Sequence, residues 1–171
     1  MRQKQAKTKT SASQLAAFIA KYTPEIARRA RAVLARMRAR LPGAVELVYD
    51  NYNALVVGFG PSERSSEAPF SIVLYPRWIT LFFLQGAHLA DPDRVLKGSG
   101  RQVRYVILET ADTIDEPPVD ALMREALRQV QWSPSGRRSR KLIIRAVMVK
   151  QRARRPPTAG GGRREHVRGR R

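Results

Sequence analysis

The chain has 171 residues, enough for one domain with tails, and its 33 Lys and Arg against 14 Asp and Glu give a formal net charge of +19. It contains no cysteine, which excludes disulfide scaffolds, thiolate zinc sites, iron–sulfur clusters and cysteine nucleophiles. Hydrophobic residues make up 43%, sufficient for a packed core, and no uninterrupted apolar run reaches the roughly 18 residues of a membrane span.

The charge is concentrated at the ends. Residues 1–13 carry +4, residues 14–132 carry +2 and residues 133–171 carry +13. The composition of 1–13 (Lys, Gln, Thr, Ser) and of 151–171 (Arg, Gly, Pro) buries too little apolar surface to offset the entropy of ordering. The expected organisation is therefore a disordered basic arm over 1–13, a domain over 14–150 and a disordered basic tail over 151–171. The basic start is not followed by an apolar stretch, so no secretory signal is expected and the location is read as cytoplasmic, with no membrane partner.

In chain order, Ser13 is placed to cap a short helix over 14–21, with Leu15, Phe18 and Ile19 on one face. Thr23-Pro24 signals a second helix running to Arg40, whose Ile26, Ala30, Val33, Leu34 and Met37 recur at spacings of three and four. Pro42-Gly43 ends it. Strands follow at 45–50, 54–59, 70–75, 78–84 and 103–108, with Pro76-Arg77 reading as the turn of a hairpin. Asp115 precedes Pro117-Pro118 as a cap for a helix that turns Val119, Leu122, Met123, Ala126, Leu127 and Val130 inward. Residues 141–149 have high β-propensity, as a sixth strand or as a segment that pairs with another chain's sheet edge. Short connections between strands predict an antiparallel sheet of five to six strands, with N-terminal and C-terminal helices packed on it, in an α+β fold.

Several stretches resemble the DUF1801 (YdhG-like) domain family. They are Tyr-Asp-Asn-Tyr-Asn-Ala at 49–54, Leu-Tyr-Pro-Arg-Trp at 74–78, Lys-Gly-Ser-Gly-Arg at 97–101 with Val-Arg at 103–104, and KLIIRAVMVKQRARRP at 141–156. The resemblance covers about residues 14 to 157. It implies an α+β fold similar to secretion-chaperone-like domains, a curved antiparallel sheet backed by terminal helices. Some members carry a frataxin-like iron-chaperone label, which implies metal handling as an alternative function; no catalytic residues come with the resemblance.

An exposed iron site needs clustered carboxylates or imidazoles. The densest acidic groups here are Asp91/Asp93 and Asp112/Asp115/Glu116, both among turn residues, and His88 stands alone in the body. No metal ligand set and no cofactor are expected. No G-x-S-x-G turn marks a nucleophile, so no catalytic residue is named and the chain reads as a binding domain.

Tyr49, Asn51 and Asn53 lie between two strands, where Asn supplies turn geometry or, with the phenols, a polar cluster for a small ligand. Arg77, Lys97, Arg101 and Arg104 are the body's candidate anion ligands. Lys97 to Arg101 is a glycine-interrupted basic loop able to present N–H groups and cations to phosphate or carboxylate. The expectation is one shallow anion site formed by these bases near Tyr49–Asn53. Trp78, Thr80 and Phe82 alternate with Ile79, Leu81 and Phe83, which predicts a strand covered on both faces or one face offering a groove. In the basic end, Arg137, Arg138, Arg140, Lys141, Arg152, Arg154 and Arg155 are candidates for salt-dependent, sequence-independent contact with nucleic-acid phosphates.

Overall fold

The computed structural model describes residues 10–157. Helix α1 spans Ser11–Ala20 and α2 spans Pro24–Arg40. The expected cap at Ser13 moves to Thr10, whose hydroxyl accepts the Ser13 N–H at 3.1 Å, so the helix claims residues read as part of the N-terminal arm. Residues 1–9 of that arm lie outside the described residues. Thr23 caps α2 as expected, accepting the Ile26 N–H at 3.3 Å with Pro24 in the first turn. Its buried stripe, Ile26, Ala27, Ala30, Val33, Leu34 and Met37, keeps the periodicity of an amphipathic helix.

Six strands follow in one sheet: β1 Val45–Asp50, β2 Leu55–Gly60, β3 Phe70–Leu74, β4 Ile79–Phe83, β5 Arg104–Ile107 and β6 Lys141–Val147. Their spatial order is β5-β4-β3-β2-β1-β6. The first five pair antiparallel through short turns. The sixth departs from the expected wholly antiparallel sheet, because β6 runs parallel to β1. A parallel neighbour needs a long return path. Residues 108–140, with helix α3 (Pro117–Gln129), supply it on the helix-bearing face. Residues 141–147 therefore pair within their own sheet. Alternation along a strand is the same in either orientation, so the sequence could not distinguish them.

Strand alternation divides the residues between two faces. Val48, Leu55, Val57, Phe59, Phe70, Ile72, Leu74, Ile79, Leu81, Phe83 and Val106 join Leu15 and Ile19 of α1, the stripe of α2, and Val119, Leu122 and Met123 of α3 in one core. All three helices thus cover the same face. Asp115, expected to cap α3, instead ion-pairs with Arg36 and Arg40 from a 3₁₀ turn over Ala111–Asp115, and Glu116 occupies the cap position.

Two buried carboxylates anchor β1 in this core. Glu46 is fully buried and accepts from Arg38 Nε at 2.9 Å and Nη2 at 2.7 Å, a two-point grip that a planar guanidinium allows. Asp50, at the other end of β1, is held by Lys21 and Arg154. Tyr22 fixes the neighbouring strand ends. Its hydroxyl donates to the Leu74 carbonyl at 2.9 Å and accepts the Leu55 N–H at 3.0 Å.

Candidate functional site

The opposite face, which no helix covers among the described residues and which is called the helix-free face below, carries a set of aromatic residues. Val56 pairs with Val73, Val73 with Thr80, Ser71 with Phe82, Thr80 with Ile107 and Phe82 with Tyr105. Tyr75 and Trp78 flank the β3–β4 turn, closed by the Tyr75 N–H donating to the Trp78 carbonyl at 2.9 Å. Their ring centroids lie 5.2 Å apart at 31°. Phe82 and Tyr105 on adjacent strands lie 5.3 Å apart at 34°. Trp78 is 44% exposed. Of the two readings of the Trp78–Phe83 stretch, the groove describes this face, while Ile79, Leu81 and Phe83 fill the core.

Three adjoining hollows occupy this side, and Tyr75 lines all of them. One, of about 490 Å³, lies over Tyr75, Trp78, Thr80, Phe82, Tyr105 and Ile107. A second, of about 540 Å³, is floored by Val56, Ser71, Val73 and Phe82, with Asn51, Asn53 and Val103 among its walls. The third, of about 630 Å³, runs between the β3–β4 turn and the C-terminal segment, where Arg77, Arg152 and Arg155 line it together with Asn53 and Trp78. Among the described residues, no carboxylate lines any of the three. Burial, reinforced by Tyr105 nearby, raises the Tyr75 phenol above its ordinary value of 10.0, so Tyr75 presents a neutral ring at physiological pH.

The wall of the third hollow exists because residues 148–155 are strapped to the domain. The Met148 N–H donates to the Asp50 carbonyl and the Arg152 N–H to the Tyr52 carbonyl, each at 2.9 Å. Arg154 Nη2 reaches the Asp50 carboxylate at 2.8 Å, and Lys21 Nζ reaches it at 2.7 Å while also donating to Gln151 at 2.9 Å. Burial, the largest influence on Asp50, opposes its charge. The hydrogen bonds with Lys21, Gln151 and Arg154 together outweigh that cost and hold the carboxyl below its ordinary range. Arg155 donates to carbonyls at the C-terminal end of α1, from Nε to Tyr22 at 3.1 Å and from Nη2 to Ala20 at 3.4 Å. A cation is favoured there because those carbonyls lack helical partners.

These positions divide the expected anion site. Asn53 and Arg77 meet in the third hollow, and Asn51 lines the second. Tyr49, opposite Val56 and Ala146, lines none of the three. Lys97, Arg101 and Arg104 line none either. Arg104 pairs with Phe83 and so points to the other side of β5 from Tyr105, donating to the Val103 carbonyl at 2.9 Å. A Cβ on Gly86 would come within 2.6 Å of the Arg104 Cβ, so glycine there admits the arginine stem. Lys97, bridged to Tyr105, and Arg104 thus belong to the β5 edge, at the opposite end of the strand order from β1, and neither joins Asn53 and Arg77 at the third hollow.

The basic C-terminal candidates divide as well. Arg154 is 5% exposed and spent on Asp50, so it is a structural cation and offers nothing to a phosphate. Arg140 lies 3.4 Å from the buried Glu46, and Lys141 ion-pairs with Glu63. Arg137 and Arg138 are exposed on the turn before β6. Arg152 and Arg155 line the arginine-bearing hollow. The part of the tail beyond residue 157 lies outside the described residues.

Asp50, in the Tyr49–Asn53 cluster, reads from sequence as turn chemistry or part of a polar cluster until its partners from remote segments are known, and nothing local marks Lys21 as one of them. The sequence also leaves Tyr75 and Tyr105 unassigned. The alternations Trp78-Thr80-Phe82 and Val103-Tyr105-Ile107 were the available signal, but only the β4–β5 register brings them together. Among the described residues no three or more His, Cys, Asp or Glu side chains gather where they could hold a metal ion. No helix there is long and apolar enough to cross a membrane. Comparison with known proteins finds no matching family model, no matching curated protein and no matching solved structure.

Proposed function

We propose that this chain is a small cytoplasmic binding domain of the DUF1801 (YdhG-like) type that holds an anionic partner on the helix-free face of its sheet, with its basic ends adding sequence-independent affinity for nucleic acid. The observation that carries this reading is the meeting of Arg77, Arg152 and Arg155 with Asn53 at one hollow that, among the described residues, no carboxylate lines. Arginine's planar fork suits phosphate and carboxylate oxygens, and an unopposed cluster of such forks concentrates positive potential where a ligand can enter. Arg77 and Arg152 are exposed.

Labelled duplex DNA and RNA, titrated into the full chain across a salt series, test it. Each phosphate contact contributes a slope of about 0.9 in log affinity against log salt on a duplex. The double variant Arg77→Ala/Arg152→Ala is expected to lower the slope by about 2 while the basic ends maintain the remainder. An unchanged slope in that variant contradicts the site, and no binding at low salt contradicts the whole reading.

A further inference from the structure

The aromatic surface beside the arginines narrows the partner. We infer that the helix-free face is a stacking platform for unpaired nucleobases: a single-stranded nucleic acid lays adjacent bases on Trp78 and on the Phe82–Tyr105 pair while Arg77 and Arg152 meet its phosphates. This rests on the anionic-partner reading and adds the class of partner to it.

Four observations carry it. Trp78 and the Phe82–Tyr105 pair line one hollow of about 490 Å³, so bases seated on each would be neighbours. The hollow with Arg77 and Arg152 adjoins it and shares Tyr75 and Trp78, so cations stand beside the rings where a sugar–phosphate backbone would pass. Among the described residues no carboxylate lines either hollow, so the lining carries no charge that repels a polyanion. Thr80, between Trp78 and Phe82 along β4, is only 1% exposed, so its side chain does not project between the rings. Sheets that present aromatic rings in this way stack unstacked bases, and every base has a π-face, so such binding tolerates sequence. A duplex cannot use the platform, because its bases already stack on one another. Binding by the basic ends alone has no such preference for single strands. A small apolar ligand would have no use for the arginines. A second copy of the chain would bring the same arginines to the same face and set like charges against each other.

The test uses the full chain with short single-stranded RNA, single-stranded DNA of the same sequence, and the corresponding duplex, all at the same salt concentrations. Trp78→Ala and Trp78→Phe are the variants, since Trp78 is exposed and its loss leaves the core intact; sedimentation of each protein runs in parallel. The wild-type chain is expected to bind both single strands more tightly than the duplex. Trp78→Ala is expected to weaken single-strand binding about tenfold, with duplex binding and the salt slope unchanged, and Trp78→Phe to retain most of the affinity. A preference between RNA and DNA in the wild type then reports contact with the 2′-hydroxyl. Equal binding of duplex and single strand with no effect of Trp78→Ala overturns the platform and leaves the anionic-partner reading standing. Absence of binding to every nucleic acid at low salt overturns both. A dimer that Trp78→Ala dissociates, with nucleic-acid binding unaltered, overturns the platform in favour of a contact between copies.

Discussion

Arg154 Nη2 lies 2.8 Å from the Asp50 carboxylate, with the two side chains only 3% and 1% exposed. The pair joins the end of β1 to a segment beyond β6, and with Lys21 it fixes the chain that forms one wall of the arginine hollow. Removing one partner of a buried ion pair strands the other charge. Asp50→Asn is therefore expected to destabilise the fold by about 3–5 kcal/mol. Denaturant unfolding measures it. Limited trypsin digestion should then cut after Arg152 and Arg154 far faster than in the wild type, because the strap loses its anchor. An Asp50→Asn protein of wild-type stability with an equally protected segment would mean that the pair does not hold the strap.

Tyr22→Phe isolates a single hydroxyl. That group serves both the Leu55 N–H and the Leu74 carbonyl. Leaving buried backbone groups unpaired costs about 1–3 kcal/mol, so the variant should unfold at lower denaturant with an unchanged slope. A loss within experimental scatter would contradict the bridging role.

Both groups also set limits on pH. Asp50 is held below its ordinary value of 3.8, so its contribution is complete above that value and is lost as acid titrates the carboxyl through its lower folded value. Tyr22 is pushed up to about 12, first by burial, against the opposing influences of Arg154 and the Leu55 hydrogen bond, from an ordinary 10.0. Its contribution is complete below pH 10 and is lost as pH rises toward 12. Unfolding free energy measured against pH should fall at both ends. Asp50→Asn should reduce the acid loss, and Tyr22→Phe should reduce the alkaline loss. If neither variant changes its limb, other groups govern the pH dependence.

The elements were legible because their signals are local. Thr23-Pro24, the spacing of Ile26, Ala30, Val33 and Met37, and the alternation through Ile79, Leu81 and Phe83 each depend on neighbours within a turn or two. The site was less legible because it depends on register and on remote partners. Nothing local separates Arg154, which a carboxylate from β1 withdraws into the protein, from Arg152, which remains at the hollow. Composition read both as tail, since it counts charge without knowing that Asp50 waits 104 positions earlier. The Lys97–Arg101 loop drew attention through its glycines. The cations that meet Asn53 come instead from the β3–β4 turn and the strap, which only the fold brings together.

The central claim, that an anionic partner sits on the helix-free face, is tested most directly by the two tryptophans. Trp78 lines the arginine hollow, and Trp132 follows α3 elsewhere on the domain, so each reports on its own surface. In ¹⁵N-labelled full chain titrated with a short single-stranded oligonucleotide, the Trp78 indole N–H resonance should move saturably while that of Trp132 stays in place. Arg77→Ala/Arg152→Ala should weaken the Trp78 response. Saturable binding that moves neither indole, or moves Trp132 alone, would contradict the placement of the partner on this face.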